Sequence, residues 1–178
     1  LNKWVGPIVF VLIWVGMFLN FYWEERIVLE NPVLKQEEQW LMSLKRTKTE
    51  QGYGALKLNR SVDGKTLSIG ERIFAKGFGT HARSELHFTL PDGARGFKTL
   101  VGVDSESTAG KVLFKVYGDT KLLWESGVVH SGEKPKVCEI YFENVTTLKL
   151  IVDPVGSNSY DHADWVLPIV LMSPNKVN

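Results

Sequence analysis

The chain has 178 residues, of which 44% are hydrophobic and 23% charged, with 16 Gly, 7 Pro and one cysteine, Cys138. These values are typical of folded protein and exclude a mostly disordered chain, a collagen-like repeat and a disulfide-stabilised mini-protein. The formal net charge of +1 and the absence of a basic run give no indication of nucleic-acid binding.

The first 23 residues predict a membrane anchor. Trp4–Trp23 carries no charged side chain, and twenty residues of helix span about 30 Å, the thickness of a bilayer core. A cleaved signal peptide is the alternative, but no small-residue cleavage site follows the run. Ring side chains favour the headgroup region, and they stand at both ends of the run: Trp4, Phe21, Tyr22 and Trp23. The sequence therefore predicts a single transmembrane helix over residues 1–23.

The charges that flank this run predict its orientation. Lys3 precedes it, and Glu24 and Glu25 follow it. Positively charged residues beside a membrane helix tend to stay in the cytoplasm, which places the N-terminus there. We therefore expect residues 24–178 on the other side of the membrane, in the periplasm or outside the cell.

Residues 24–37 form a predicted juxtamembrane stalk, in which Pro32 interrupts any helix. The stalk contains aliphatic side chains that a solvated linker does not need: Ile27, Val28, Leu29, Val33 and Leu34. Three interpretations stay open. These side chains can continue a helix along the membrane surface, pack on the chain's own domain, or pack on a partner protein.

From about residue 38 the sequence changes to short runs in which apolar and polar side chains alternate. This period of two predicts half-buried β-strands at Ser84–Leu90, Lys111–Gly118, Val137–Glu143 and Thr147–Asp153. Phe97–Val103 and Trp165–Leu171 are more continuously apolar and suit central strands, with Pro168 indicating an edge or a bulge. Residues 38–174 thus predict an all-β domain of seven or eight strands, a β-sandwich or jelly roll.

Several segments of this domain jointly resemble one known family. They are E-Q-W-L-M-S-L at 38–44, K-G-F-G-T-H-A at 76–82, V-G-V-D at 101–104 and D-H-A-D-W at 161–165. Together they make residues 38–172 similar to the NPCBM family of carbohydrate-binding modules. The resemblance implies a galactose-binding-like jelly-roll β-sandwich. It also implies a non-catalytic module that in several members binds galactose-type sugars, usually beside a glycosidase domain.

The glycine-rich segment before residue 84 holds the first candidate sugar-binding side chains. His81 follows two glycines on a loop, where its imidazole can donate to a sugar hydroxyl. Arg83 can make a forked contact to sugar oxygens. A structural histidine that bonds a neighbouring loop and an exposed solubilising arginine are the alternatives.

The second candidate group is the run of six residues from 160 to 165. Carboxylates accept hydroxyl protons, and aromatic faces cover apolar C–H groups of a sugar. The candidates are Tyr160, Asp161, His162, Asp164 and Trp165. The alternative is structural: Trp165 lies in the core and Asp164 bonds turn amides.

The resemblance further implies a structural Ca²⁺, because galactose-binding-like folds often hold one with loop carbonyls and carboxylates. Oxygen-rich loops at residues 59–63 and 104–106 can supply such ligands, with Asp63 and Asp104 as the candidates. The run at 160–165 also suits a cation, but its short spacing is not a diagnostic metal pattern.

The sequence gives little support to catalysis. A nucleophile elbow, a zinc-protease motif and a phosphate-binding glycine loop are absent. The residue types of a Ser–His–Asp set are present in Ser84, His81 and Asp161, but the sequence holds no evidence that these side chains meet in space. We therefore predict a membrane-anchored, non-enzymatic carbohydrate-binding module. The alternative is an accessory subunit of a larger membrane complex, with the sandwich as its protein-docking surface.

Overall fold

A computed structural model describes residues 29–174 of the chain. The predicted anchor over residues 1–23, with its four interfacial rings, and the first part of the predicted stalk lie outside the described residues. Within residues 29–174 no helix has the length and apolar character needed to cross a membrane. The helical element found there is a single 3-10 turn, Leu41–Ser43.

The described residues form a fold of fourteen strands, many of them short. In chain order they are β1 (Leu29–Glu30), β2 (Glu38–Trp40), β3 (Arg46–Gln51), β4 (Lys57–Leu58), β5 (Leu67–Ile69), β6 (Arg72–Phe74), β7 (Gly77–His81), β8 (Ser84–Thr89), β9 (Ala94–Val103), β10 (Lys111–Gly118), β11 (Lys121–His130), β12 (Lys136–Tyr141), β13 (Thr147–Pro154) and β14 (His162–Met172).

Two antiparallel sheets pack face to face. One has five strands in the order β11-β10-β13-β8-β3. The other has six strands: β12, β9, β14, β7 and β4 follow in that order, and β2 also pairs with β14. The predicted all-β sandwich is therefore confirmed.

The main core lies between these two sheets, because every second side chain of each strand points inward. Val112, Phe114 and Val116 of β10 are fully buried, as the alternation predicts. Trp165 of β14 meets Phe114 edge-on, with ring centroids 5.0 Å apart and planes at 88°. Such an edge-to-face pair stabilises the core beyond the area it buries.

A third, three-stranded sheet covers part of the outer face of the six-stranded sheet. Its order is β1-β6-β5, with β1 parallel to β6. Its close approach requires Gly102 on β9, since a Cβ there would stand 2.2 Å from Ile69 Cγ2. A second, smaller core forms at this contact, from Leu67, Ile69, Phe74 and Val166.

Pro168 lies in the middle of β14, an inner strand of its sheet. The pairing of β14 with β9 shifts register between Val166 and Ile169, and Leu167 has a φ of 52°. Of the two alternatives that the proline left open, edge and bulge, the structure shows a bulge. The carbonyl of Val166 at this bulge accepts a hydrogen bond of 2.8 Å from Thr99 Oγ1.

Candidate functional site

An open cleft of about 540 Å³ lies at one end of the sandwich. It forms where β7 ends and β14 begins, at the point where His81 pairs with His162 across the two strands. The other walls come from the loops before β4, before β5, before β10 and before β14. The residues that line the cleft are Gly52, Tyr53, Asp63, His81, Glu106, Asn158, Ser159, Tyr160 and His162.

A histidine–glutamate pair lies at the base of the cleft. His162 Nδ1 is 2.9 Å from Glu106 Oε1, and the Glu106 side chain is only 3% exposed. The other Glu106 oxygen accepts a hydrogen bond of 2.8 Å from Ser61 Oγ, and Lys65 Nζ lies 3.8 Å away. Buried carboxylates need such partners. Glu106 is therefore held in one position, and it orients the imidazole of His162.

Three rings line the cleft in a row. The ring centroids of Tyr53 and His81 are 5.1 Å apart, and those of His81 and His162 are 5.4 Å apart. Tyr53 is 58% exposed, and Tyr160 on another loop is 60% exposed. Aromatic rings of this kind present a flat apolar face together with a polar edge. The cleft therefore offers both aromatic faces and hydrogen-bonding groups to a ligand.

His81 is buried, with Nδ1 2.7 Å from the carbonyl oxygen of Ala82. Since a carbonyl oxygen only accepts, Nδ1 carries the proton in this tautomer, and Nε2 of the neutral ring is an acceptor. The preceding Gly79 lies against the backbone of the β4–β5 loop, where a Cβ would be 2.2 Å from the Arg60 carbonyl oxygen. This glycine lets the loop that carries Ser61 and Asp63 approach the end of β7.

Three of the predicted sugar-binding residues line the cleft: His81, Tyr160 and His162. Arg83 does not. Its exposed guanidinium bonds Asp153 Oδ1 at 3.1 Å, on the five-stranded sheet. Asp161 is buried, and its Oδ1 accepts a hydrogen bond of 2.7 Å from the Lys111 amide. Burial raises the pKa of the Asp161 carboxyl, against the lowering effect of that amide bond.

Asp164 and Trp165 are fully buried and do not line the cleft. With its carboxyl ionised, Asp164 has no hydrogen-bond partner for either oxygen within the described part of the chain. Burial, followed by the neighbouring Asp104 carboxylate, raises the pKa of Asp164 well above its ordinary value. Burial is the main physical cause of this shift, and the neutral form can in addition donate a hydrogen bond to Asp104.

The two candidate Ca²⁺ ligands occupy different surroundings. Asp104 is buried, and its oxygens accept hydrogen bonds from the Ser68 amide at 3.1 Å, Ser68 Oγ at 3.3 Å and the Glu106 amide at 2.8 Å. Asp63 is exposed, with Oδ2 4.0 Å from His162 Nδ1. An aspartate surrounded by donors is satisfied by them and leaves little room for a cation.

Within the described residues, ligand atoms of Asp63, Glu106 and His162 lie within 4.8 Å of one another. This set includes an imidazole nitrogen, whereas Ca²⁺ takes six to eight oxygen ligands. Asp104 does not belong to this set, and we assign no Ca²⁺ site to Asp63 and Asp104.

Ser84, His81 and Asp161 are not joined as a catalytic set. Nδ1 of His81 is taken by a backbone carbonyl, and one Asp161 oxygen by a backbone amide. Ser84 Oγ is buried without a hydrogen-bond partner within residues 29–174. A serine nucleophile requires a hydrogen-bonded base, which this arrangement does not supply.

Two residues of the cleft were not predicted from the sequence: Tyr53 was not among the candidates, and Glu106 was one only as part of an oxygen-rich loop. Tyr53 stands between two glycines, in G-Y-G, which is a turn signal around an aromatic ring. That signal indicates an exposed ring on a loop but not the loop's position. Glu106 is 56 residues from His162 in sequence, and local patterning contains no information on their contact.

Comparisons with known proteins bear on the family and the fold of the chain. The NPCBM/NEW2 domain matches residues 37–170. Alpha-1,3-galactosidase B of Akkermansia muciniphila is 38% identical over 123 residues, 66% of this chain but 16% of that protein. The chain thus spans about a sixth of that relative's length.

Two solved structures from Clostridium perfringens share the fold. The CBM51 of GH95, in complex with methyl-galactose, has a TM-score of 0.70 and 31% identity, covering 75% of this chain and 99% of that one. The CBM51-2 and INT domains of ZmpB, in complex with GlcNAc, have a TM-score of 0.69 and 31% identity, covering 76% of this chain and 31% of that one.

Proposed function

The chain belongs to the NPCBM/NEW2 domain family, and from that premise we propose that it is a non-catalytic carbohydrate-binding module. Its ligand is a galactose-type or other cell-envelope glycan, bound in the cleft at the end of the sandwich. The observation that carries the proposal is the convergence there of the Glu106–His162 pair with the rings of Tyr53, His81 and Tyr160.

The chemistry of the cleft matches the two sides of a sugar. Hydroxyl groups donate and accept, and they can pair with the imidazoles, with Asp63 and with the hydroxyl of Ser159. The apolar C–H face of a pyranose packs on an aromatic ring. Tyr53 and Tyr160, each more than half exposed, offer such rings at the mouth of the cleft.

The carboxylates support binding rather than glycoside hydrolysis. A glycosidase places two carboxyl groups on opposite sides of the bond to be cleaved. Here Glu106 Oε1 and Asp63 Oδ2 approach the same atom, His162 Nδ1, at 2.9 and 4.0 Å. Both groups therefore belong to one wall of the cleft.

The N-terminal run adds a location to the proposal. Twenty uncharged residues from Trp4 to Trp23 have the length of a bilayer core, and Lys3 on their N-terminal side favours the cytoplasm. We propose that this run anchors the module in a membrane and displays it in the periplasm or outside the cell. Alkaline carbonate extraction tests the anchor: an integral protein stays in the membrane fraction.

Sugar binding is tested with the full chain in detergent and methyl-galactoside or GlcNAc as ligand, by isothermal titration calorimetry. We expect His162→Ala to weaken binding roughly 10- to 100-fold, the range for lost hydrogen bonds to charged or polar partners. The matched control is His130→Ala, because His130 Nδ1 also lies 2.9 Å from a glutamate, Glu133, but on an exposed turn. Equal effects of the two variants, or no binding on a broad glycan array by folded protein, would contradict the proposal.

The alternative function, an accessory subunit of a membrane complex, would use exposed apolar surface outside the cleft. Val33 and Val137 are 93% and 64% exposed and line the same apolar groove, away from the cleft. Exposed apolar surface marks sites of protein or membrane contact. Gentle detergent extraction followed by mass spectrometry distinguishes the two functions, since an accessory subunit elutes with partners in a fixed ratio.

A further inference from the structure

A second depression, of about 300 Å³, lies on the outer face of the six-stranded sheet. We call it the flank groove and define it by the apolar residues among those that line it: Pro32, Val33, Leu100, Val137, Leu167 and Ile169. The three-stranded sheet covers the neighbouring part of the same face, and the groove is the part left open. It contains none of the residues that line the sugar cleft.

The rim of the flank groove is unusually apolar for a surface. Val33 is 93% exposed at the tip of the loop after β1, Val137 is 64% exposed on β12, and Leu29 just before the loop is 50% exposed. Charged groups beside them are Lys35, Glu139 and the Lys98–Glu38 ion pair at 2.5 Å. Two lysines and two glutamates line the groove, so it offers a headgroup region its projecting aliphatic side chains and not a net charge.

The chain enters the domain beside this groove and is firmly held there. Leu29 and Glu30 pair with Ile73 and Phe74 of β6, and the Glu30 carbonyl accepts a hydrogen bond of 2.9 Å from the Ala75 amide. The Glu30 carboxylate binds the Arg72 guanidinium in a forked contact of 2.5 and 2.6 Å. The position of the entry point on the domain is therefore fixed.

The length of chain before Leu29 limits how far this surface can be from a bilayer. The uncharged run ends at Trp23, six residues before Leu29, so the two are at most about 20 Å apart. The headgroup region itself accounts for roughly 5–7 Å on each side of a bilayer. With the anchor ending at Trp23, Leu29 therefore lies at most about 15 Å beyond the headgroups.

We propose that the flank groove and its rim are a lipid-docking surface, on which Val33 and Val137 contact the headgroup region of the bilayer. This inference rests on the membrane anchor of the proposed function and adds an orientation to it. The cleft lies at the end of β9, about 10 Å along the strand from Leu100 in the groove. A module that lies on this flank opens its cleft sideways, toward glycans close to the membrane surface.

The test places an environment-sensitive NBD fluorophore at single sites of the full chain in lipid nanodiscs of phosphatidylcholine and phosphatidylglycerol. The labelled variants are Val33→Cys and Val137→Cys. The matched control is Thr49→Cys, a β-branched, exposed position on β3, an edge strand of the other sheet. Native Cys138 does not compete for the label, because it is fully buried and burial raises the pKa of its thiol to about 12.

We expect a blue shift of NBD emission at positions 33 and 137, and quenching there by spin-labelled lipid, with neither effect at position 49. Equal spectra at all three positions in a chain that co-elutes with nanodiscs would overturn the docking and leave the anchor intact. A chain that fails to enter nanodiscs would overturn the anchor and the docking together, while sugar binding would stand. Shielding of position 33 by a co-purified protein, without lipid quenching, would overturn the docking in favour of a protein partner.

Discussion

The run from Tyr160 to Trp165 contains two regions with different tasks, although the sequence presents it as one polar and aromatic cluster. Tyr160 and His162 line the cleft, whereas Asp161, Asp164 and Trp165 are completely buried. The first region offers chemistry to a ligand, and the second holds strands and loops together. Residue type alone therefore does not identify a binding residue, even within six consecutive positions.

The contrast is sharpest between His162 and Asp164, which lie on the same face of β14. Successive side chains of a strand alternate, and Ala163 and Trp165 between and beside them belong to the main core. His162 opens into the cleft, while Asp164 lies against Asp104, whose carboxylate bonds Ser68 of β5. The two positions differ because β5 covers Asp164 and leaves His162 open to the cleft. Mutation of Asp164 should therefore change stability, and mutation of His162 should change sugar binding.

The largest expected effect is on the buried region. Trp165→Ala removes the ring that packs edge-on against Phe114 in the main core. Large aromatic-to-alanine changes in a core cost about 3–5 kcal/mol, so we expect a loss of that size in the free energy of unfolding. Urea unfolding followed by tryptophan fluorescence and circular dichroism measures it. Tyr160→Ala, five residues earlier, serves as control and should change stability by less than about 0.5 kcal/mol.

The buried carboxyl of Asp164 predicts a dependence of stability on pH. Its pKa is raised in the folded protein by burial and by Asp104, so the folded state binds more protons than the unfolded state. The contribution of the Asp164 carboxyl to the free energy of unfolding is then fully present below its ordinary pKa of 3.8. It is lost as the pH rises toward the raised pKa of the folded protein. Asp164→Asn keeps a donor for Asp104 and has no proton to lose.

The measurement compares urea unfolding of the wild-type chain and Asp164→Asn at a series of pH values. The difference in unfolding free energy should shift in favour of the variant as pH rises above 3.8, because only the wild-type chain must give up the proton of the Asp164 carboxyl. A difference that stays constant with pH would show that folding does not shift the pKa of Asp164.

The sequence predicted the alternating strands well, because a strand buried on one face carries an apolar side chain at every second position. The predicted run Lys111–Gly118 coincides with β10, and Thr147–Asp153 falls one residue short of β13. The edge strands β3 and β11 were missed, and so was the inner strand β7, whose residue His81 was predicted to lie on a loop. β3 reads R-T-K-T-E-Q and buries no side chain fully, so it carries no apolar period.

The site was predicted only in part, for a related reason. His81 and His162 stand in motifs, and a motif can be recognised along the chain. Tyr53 and Glu106 reach the cleft on separate loops, and their meeting with the histidines depends on the pairing of β7 with β14. Contacts between distant loops follow from tertiary topology, which local patterning does not encode.

A smaller effect is expected at the mouth of the cleft. Tyr53→Ala removes an exposed ring whose centroid lies 5.1 Å from that of His81, and with it an apolar face on which a sugar can pack. We expect sugar affinity to fall roughly twofold to tenfold, the change that corresponds to a ring contact of about 0.5–1.5 kcal/mol. Tyr141→Ala is the matched control, since Tyr141 is 63% exposed on β12 outside the cleft. Calorimetric titration of both variants with methyl-galactoside measures the effect. Unchanged affinity in Tyr53→Ala would remove this ring from the binding region.

Arg83 gives the smallest expected effect and defines the limit of the binding region. Its guanidinium is 60% exposed and pairs with Asp153 at 3.1 Å, and Lys115 holds the other oxygen of that carboxylate at 2.9 Å. Exposed ion pairs contribute about 0–1 kcal/mol, and a second cation stays in place, so Arg83→Ala should lower stability by less than about 0.5 kcal/mol. Sugar affinity should not change, because the side chain points to the five-stranded sheet and not into the cleft. A clear fall in the sugar affinity of Arg83→Ala at unchanged stability would show that the ligand reaches beyond the cleft, across the turn between β7 and β8. Arg83 would then belong to the binding end of the molecule and not to its structural body.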